Sequence, residues 1–391
     1  MDQNFSSTQL LKLCKQQEWK YYDLGQDDLE TKINSNFSKI IDGTFDFQIE
    51  KIGEYFLTHD LSQKLIIRKL NDNIKRLYKD EQANRRIIIK QVKTLLAENC
   101  PMWILRTDIE KFYENIDRER LISKLRNDSI LSFYSLSIIT KLFDNQNISE
   151  STGLPRGMNI SATLSELYMR KFDKWIQRNP GVYFYARFVD DIIIFSNDES
   201  VLKKLNSQIN ENLEVGLNKK VQKTGLYNGD NISKEKPLEY LGYQFTTKTV
   251  NKNKKSLEVS IAKKKVKKIK TRVTLALLDY IKQNDFDLLE NRIRFLTGNY
   301  SVKTNSEGND LKAGIYYNYS HLNKYEIFDD LNLYFRKALF SRSGNFGNKI
   351  DSVLSQVQKN QLAKYSFKHG FLNKVYYSFT PEDMKEIKNC W

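Results

Sequence analysis

Cysteine and histidine are scarce in this sequence of 391 residues, and they form no cluster. The three cysteines, Cys14, Cys100 and Cys390, lie far apart along the chain, and the three histidines do not group with them. This scatter argues against a zinc site and against a disulfide framework. It favours a reducing compartment, which we expect to be the cytoplasm.

Long apolar segments are also missing. No run of apolar residues approaches the roughly 18 that a membrane span requires. The opening stretch from Met1 to Phe5 lacks the basic and apolar regions of a signal peptide. We therefore expect neither a signal peptide nor a membrane partner.

Positive charge is present in excess. The chain has 63 Lys and Arg against 48 Asp and Glu, a net charge of +15, and an isoelectric point near 9.3. Its hydrophobic content of 40% and charged content of 28% are those of a globular protein with a sizeable core. A chain this basic is expected to have a polyanionic partner.

Two segments concentrate the basic residues. In residues 64–93, helical apolar spacing is combined with many cations, including Arg68, Arg85 and Arg86. Residues 248–272 contain eleven Lys and Arg and a single acid, Glu258. The first surface is either solvated or binds phosphates.

The second segment has the pattern of a strand followed by an amphipathic helix. Its apolar stripe begins at Val266, and the basic residues fall largely on the other face, among them Lys263, Lys264, Lys267 and Lys268. Such a helix can lie on a membrane, but in so basic a chain a nucleic-acid groove is favoured.

The stretch Tyr183–Phe195 carries the first chemical signal. Two runs of aromatic and β-branched residues flank Asp190 and Asp191, which predicts a short hairpin with both acids at its tip. Arg187 is the only basic residue beside them. Adjacent carboxylates repel each other unless a cation lies between them. Alone, an Asp-Asp pair is usually a solvated turn.

A third acid makes that reading improbable. Met102–Thr107 is predicted to be a buried strand that ends at Asp108. If this strand lies beside the hairpin in one antiparallel sheet, Asp108 meets Asp190 and Asp191. Three carboxylates suit two Mg²⁺ ions, with Mn²⁺ as an alternative, and thus phosphoryl transfer to a 3′-hydroxyl.

Five segments in order now resemble motifs A to E of reverse transcriptases. They are Asp108–Tyr113, Gly153–Gly157, Phe188–Asp191, Lys223–Thr224 and Leu241–Tyr243. The resemblance implies a right-hand polymerase of mixed α+β class, with an antiparallel palm sheet, helical fingers, a basic thumb and an α-helical C-terminal region. Its domains would be an N-terminal helical adapter (1–60), fingers and palm (61–245), thumb (246–300) and C-terminal helices (301–391).

The resemblance also implies roles for single residues. Asp108, Asp190 and Asp191 would bind the metals, and Lys223 would protonate the departing pyrophosphate. Tyr113 would exclude the 2′-hydroxyl of ribonucleotides. Other assignments follow the same motifs: Arg156, Gly157, Arg68, Arg85 and Arg86 for the incoming nucleotide, Leu241 and Gly242 for the primer grip, and Lys263, Lys264, Lys267 and Lys268 for nucleic acid.

One position departs from the family pattern. Motif B usually carries Gln where this chain has Arg156. Arginine can pair with a phosphate but cannot accept a hydrogen bond. How the incoming nucleotide is oriented is therefore an open question at this stage.

The phrases Phe112–Ile116, Gly153–Gly157 and Tyr316–Tyr319 are similar to bacterial defence reverse transcriptases of the abortive-infection and unknown-group lineages. The chain also resembles the smaller member of a two-polymerase antiviral system. This implies RNA-directed synthesis from dNTPs onto a DNA 3′-end or a protein hydroxyl. The template would be a noncoding RNA, with a DNA product and a second reverse transcriptase subunit or higher-order assembly as partners. Two alternatives stay open: a template-independent DNA polymerase and a catalytically silent nucleic-acid-binding subunit.

Overall fold

The computed structural model describes residues 2–79, 83–251, 254–304 and 310–391. The chain divides into two compact units, one of residues 1–88 and 101–228 and the other of residues 89–100 and 229–391. This division cuts through the segment predicted to form fingers and palm. The predicted boundaries at 60, 245 and 300 stay predictions. Lys252, which belongs to the predicted basic segment 248–272, lies outside the described residues.

Helices form most of the first unit. Their apolar faces follow the helical spacing seen in the sequence: in residues 61–78, for example, Leu65, Leu70 and Ile74 are fully buried. The helices are α1 (Ser7–Leu11), α2 (Gln16–Tyr22), α3 (Gln26–Ile41), α4 (Leu61–Tyr78), α5 (Arg85–Ala97), α6 (Arg118–Asn127), α7 (Phe133–Asp144), α8 (Gln146–Ser149), α9 (Asn159–Gln177) and α10 (Glu199–Asn212). The division between the units falls within α5.

The centre of the first unit is a four-stranded antiparallel sheet. Its strands are β3 (Trp103–Asp108), β4 (Val182–Phe188), β5 (Asp191–Ser196) and β6 (Gly225–Asn228), in the order β4-β5-β3-β6. In β5 the continuous apolar run Ile192–Phe195 is fully buried, as expected of a central strand. Helices α9 and α10 pack on the sheet.

A second, smaller sheet lies in the predicted N-terminal adapter. It is the hairpin of β1 (Glu50–Ile52) and β2 (Tyr55–Leu57). The prediction of short helices alone for residues 1–60 missed it, because strands of three residues are too short to show a period. The adapter is also not separate, since Phe5, Leu10 and Leu29 are buried in the same core as the palm helices.

The second unit combines two antiparallel sheets with helices. The first sheet contains β7 (Leu238–Tyr240), β8 (Tyr243–Asn251) and β9 (Lys254–Ile261), and the second contains β10 (Asn299–Thr304) and β11 (Asp310–Gly314). The helices are α11 (Lys263–Gln283), α12 (Phe286–Thr297), α13 (Ile315–Tyr319), α14 (Glu326–Leu339), α15 (Gly344–Val353), α16 (Gln356–Leu362), α17 (Phe367–Leu372) and α18 (Pro381–Lys388). The hairpin β10–β11 was not predicted in a region expected to be helical.

The mixed α+β class with an antiparallel palm sheet is confirmed. Within the described part of the chain, no helix has the length and apolar character needed to cross a bilayer.

Candidate active site

The three acids singled out in the sequence lie together at one edge of the central sheet. Asp108 is the last residue of β3 and Asp191 is the first of β5, and the antiparallel register places them directly opposite each other. Asp190 precedes Asp191 in the turn after β4. One carboxylate oxygen from each residue lies within 4.8 Å of the other two. The expected convergence is present, and the catalytic roles stay predictions.

The backbone around these acids is tightly specified. Val189, in the turn, has φ +61°, a left-handed conformation that β-branched residues rarely adopt. The Ile109 N–H donates to the carbonyl of Asp190 at 3.0 Å, and the Lys220 N–H donates to the carbonyl of Asp108 at 2.6 Å. These bonds tie the hairpin turn and the end of β3 to the segment that leads into β6.

Two cations contact the acidic edge. The guanidinium of Arg106 donates two hydrogen bonds, from Nη2 to Oδ1 of Asp191 at 2.5 Å and from Nη1 to the carbonyl of Lys223 at 2.7 Å. Lys223, in a 3₁₀ turn before β6, contacts Oδ2 of Asp108 through Nζ. Asp190 forms no ion pair with any residue that the structure describes. Three carboxylates are thus matched by two cations.

The protonation behaviour of the hairpin acids reflects this imbalance. Burial, joined by the charges of Asp108 and Asp191, raises the pKa of Asp190 above its ordinary value. Burial also raises the pKa of Asp191, although Arg106 opposes the shift. The site is therefore short of positive charge.

This donor set fits divalent metal ions. The three carboxylates supply hard oxygen ligands, which Mg²⁺ prefers. Their oxygens converge from two strands onto one point, and their mutual repulsion is what a bound cation would relieve. Asp108, Asp190 and Asp191 are the residues that would hold such ions.

A second charged cluster stabilises the same hairpin. Arg187 on β4 is 4% exposed in its side chain and forms ion pairs with Glu166 at 2.5 Å and Asp173 at 2.7 Å, both on α9. It also donates to the carbonyl of Val189 at 3.0 Å. Burial alone would lower the pKa of Arg187, but its two acidic partners raise it well above the ordinary value. Arg187, the basic residue beside the two acids in the sequence, thus pairs with the acids of α9, and Asp191 pairs with Arg106.

Tyr113, the predicted sugar gate, lies in the turn after β3 and is partly buried, and its role stays a prediction. Its ring packs at 5.4 Å from that of Phe112, and burial raises its pKa despite a hydrogen bond with Ser165 of α9. The backbone of Tyr113 also accepts from the N–H of Leu154 at 2.8 Å. A Cβ at Gly153 would lie 1.9 Å from the Tyr113 carbonyl, so only glycine allows the loop to approach this closely.

Arg156, at the departure from motif B, is held by acids. Its Nε forms an ion pair with Oε1 of Glu114 at 2.5 Å, and Glu54 is 3.7 Å away. Its carbonyl accepts from the N–H of Phe56 on β2 at 2.8 Å. Gly157 follows with φ +92°, against the backbone of Phe56. The β1–β2 hairpin thus supports the motif B loop.

The three arginines expected to contact the triphosphate lie in different surroundings. Arg68 donates to Glu18 at 2.6 Å and lines a cavity of about 350 Å³ that also reaches Gly157. Arg85 and Arg86 begin α5. Arg68 therefore shares a cavity with Gly157 of the motif B loop. A nucleotide-binding role for each of the three arginines stays a prediction.

The remaining predicted residues belong to the second unit. Leu241 and Gly242 form the two-residue turn between β7 and β8, both with positive φ (+46° and +84°), as in tight hairpin turns. Val266 is buried on α11, while the predicted nucleic-acid-binding lysines are exposed on the same helix: Lys263, Lys264, Lys267 and Lys268.

Sequence reasoning missed Arg106 and the acidic partners of Arg187. A signal existed for each. Arg106 and Asp108 are two residues apart on a strand, so their side chains share a face. Glu166 and Asp173 are seven residues apart on a helix and also share a face.

The comparisons with known proteins can now be added. Residues 60–245 match the model of the reverse transcriptase (RNA-dependent DNA polymerase) family. No curated protein sequence matches the chain.

Solved structures of yeast telomerases show a distant likeness. Apo telomerase from Candida tropicalis, truncated from its C-terminal domain, is 14% identical over 62% of this chain and 50% of that one, with a TM-score of 0.37. Telomerase from Candida albicans in complex with a fragment of telomeric RNA is 11% identical over 83% and 53%, with a TM-score of 0.34. The corresponding RNA complex from Candida tropicalis is 12% identical over 94% and 66%, with a TM-score of 0.37. This chain spans between half and two thirds of the length of those proteins.

The family match covers both strands that carry the acids, the motif B loop and Lys223. Residues 60–245 therefore match the reverse transcriptase family model, in agreement with the resemblance seen in the sequence, and polymerase activity of the chain stays a proposal.

Proposed function

We propose that the chain is an RNA-directed DNA polymerase that copies a noncoding RNA into DNA for antiphage defence, in the cytoplasm. It would extend a DNA 3′-hydroxyl, or a hydroxyl of a protein, with dNTPs. A second reverse transcriptase subunit is the further partner that we propose.

One observation carries this proposal. Three carboxylates from two separate motifs meet within 4.8 Å inside a reverse transcriptase domain, and their charge is only partly neutralised. A catalytically silent subunit would have no need to keep three buried acids in this unfavourable arrangement.

The residues divide the chemistry between them. When bound, two divalent ions would lower the pKa of the attacking hydroxyl and neutralise the triphosphate. Asp108, Asp190 and Asp191 would hold them, and Arg106 would keep Asp191 oriented through its 2.5 Å bond. Lys223, already within reach of the site through Asp108, would supply the proton for the departing pyrophosphate.

Tyr113 would select the sugar. Its ring is held between the core and α9 and so cannot easily move aside for a 2′-hydroxyl. We expect Tyr113→Val to admit ribonucleotides far better than the wild type does. Comparing dNTP with rNTP incorporation on one template tests this, with Tyr134→Val, at an exposed position of α7, as the control. An unchanged ratio would remove Tyr113 from the substrate site.

The test of templated synthesis uses the purified chain with whatever RNA accompanies it. Half of the sample is digested with ribonuclease before dNTPs and Mg²⁺ are added, and the products of both halves are sequenced. We expect DNA complementary to the RNA, lost on digestion. Undiminished synthesis of a product with no complement in that RNA would indicate the template-independent polymerase instead.

The defence role rests on the resemblance of the quoted phrases to abortive-infection and unknown-group reverse transcriptases. Its test is plating efficiency of phages on bacteria that express the wild type or Asp190→Asn, each with its neighbouring genes. Equal plating on both would contradict the role.

A further inference from the structure

A basic groove runs along the C-terminal half of α9. Its volume is about 640 Å³, and its lining residues are separate from those that contact the three carboxylates. We call it the α9 groove and define it by its lining: Lys124, Arg170, Lys171, Lys174, Trp175, Arg178, Asn179 and Pro180. Five of these eight residues are cations, and none is an acid.

Three of the cations have no acidic partner. Lys171, Lys174 and Arg178 are exposed and form no ion pair within the described ranges of the chain. This differs from α10, where Lys203 pairs with Glu199 at 3.0 Å. An unneutralised cluster of this kind raises the local concentration of anions.

The other two cations are held in place by neighbouring groups. Arg170 donates to the carbonyl of Tyr78 at 2.7 Å and lies over its ring, with 6.0 Å to the centroid. Lys124 on α6 is 3.9 Å from Asp128, a long and partly exposed pair that contributes little. Arg170 is thus fixed by a contact that does not cancel its charge.

The spacing of the exposed cations suits a phosphate backbone. Lys171 and Arg178 are seven residues apart, or about 10 Å along the helix. At the spacing of a DNA duplex, one phosphate per roughly 3.4 Å of helix axis on each strand, the row spans about three phosphates. Every charged group of the groove is a donor, as phosphate oxygens require.

We propose that the α9 groove binds the sugar-phosphate backbone of a double-stranded segment of RNA. The proposal rests on the proposed function, because a polymerase that copies a noncoding RNA must retain that RNA while its template end moves. A groove on α9 outside the carboxylate site would anchor a folded part of the same molecule.

A bilayer fits the α9 groove less well. A membrane-binding surface combines cations with exposed apolar side chains, whereas the single aromatic residue here, Trp175, packs at 5.6 Å against the buried Phe172. The surface is also concave, and a bilayer is flat. Sequence-independent RNA binding by shape and charge is the closer match.

The test compares two charge-reversed variants of equal net charge. Lys171→Glu/Lys174→Glu changes the α9 groove, and Lys203→Glu/Lys204→Glu makes the same change on exposed positions of α10. The probe is a labelled RNA hairpin with a stem of about 20 base pairs, long enough for two successive minor grooves. Its affinity is measured directly as a function of salt, so the result does not depend on polymerase activity.

We expect the groove variant to bind the hairpin about tenfold more weakly and its slope of log affinity against log salt to fall by about 2, one for each lost phosphate contact. The α10 variant should keep most of the wild-type affinity and slope. Equal losses in both variants, or no loss in the first, would overturn the proposal.

A second measurement separates this proposal from the proposed function. On a short linear RNA template with a DNA primer, the groove variant should extend the primer as the wild type does. If the wild type does not extend the primer, the proposed polymerase function is contradicted and the hairpin-binding result still stands. If only the groove variant loses extension, Lys171 and Lys174 lie in the path of primer and template, and the proposal of a separate RNA-binding groove is overturned.

Discussion

Two groups of acids lie beside the β4–β5 hairpin, and they differ in how their charge is balanced. At the end of the sheet, Asp190 and Asp191 lie beside Asp108, and burial and repulsion raise the pKa of both hairpin acids. On the side facing α9, Glu166 and Asp173 share the buried Arg187, at 2.5 and 2.7 Å.

This difference in ion pairing indicates different roles for the two groups of acids. In the Arg187 cluster, both acids are ion-paired with a buried guanidinium, so the group can hold structure: it links α9 to β4 and binds the carbonyl of Val189 in the strained turn. In the carboxylate site, Asp190 has no ion-pair partner among the described residues, so its negative charge is left for a bound cation to neutralise. Such a cation could in turn bind a polyanionic substrate.

The largest expected effect comes from breaking the Arg187 cluster. Arg187→Met would leave the partly buried Glu166 and Asp173 without their shared cation, which should cost about 3–5 kcal/mol of unfolding free energy. Urea unfolding measures this. The triple variant Arg187→Met/Glu166→Gln/Asp173→Asn should recover much of the loss, because no unpaired charge remains. A single variant within about 1 kcal/mol of the wild type, a difference typical of ordinary substitutions, would contradict the structural role.

A smaller effect is expected from filling the acidic site. Added Mg²⁺ should stabilise the wild type, by about 2.7 kcal/mol at 100 times its dissociation constant, because it binds the folded state alone. Asp190→Asn should lose most of this gain, while Asp144→Asn, an exposed acid at the end of α7, should keep it. Thermal unfolding with and without Mg²⁺ decides the matter, and equal stabilisation of all three proteins would place the ion elsewhere.

The smallest effect is a pH dependence in the absence of metal. Because the pKa of Asp190 is raised in the folded protein, its ionisation opposes folding above that pKa, and the penalty is relieved as the pH falls towards its ordinary value of about 3.9. With EDTA present, Asp190→Asn should therefore be more stable than the wild type at pH 7, and the difference should disappear near pH 3.5. A variant less stable at pH 7 would show that Asp190 is compensated by a partner.

Much of the carboxylate site could be predicted from the sequence, because its signals are local. A buried apolar run ending in Asp108, and two β-type runs around Asp190 and Asp191, specify strands whose ends carry acids. Once these strands pair in one antiparallel sheet, their ends meet.

The balancing cations could not be predicted as surely, because pairing across elements depends on register. Arg106 can reach Asp191 because the register between β3 and β5 pairs Asp108 with Asp191. Arg187 faces α9 rather than the catalytic edge, which depends on the pleat of β4. The hairpins β1–β2 and β10–β11 were also missed: β1 and β2 have three residues each, and β10 and β11 lie in a region that was expected to be helical throughout.

The most direct test of this account is nucleotide incorporation by Asp190→Asn. Wild type, Asp190→Asn and Asp144→Asn are compared for Mg²⁺-dependent addition of dNTPs to a DNA primer on an RNA template, with far-ultraviolet circular dichroism to confirm folding. We expect wild-type rates from Asp144→Asn and no measurable incorporation by a fully folded Asp190→Asn. Retention of more than about a tenth of wild-type activity by Asp190→Asn would contradict the assignment of these carboxylates to the metal site.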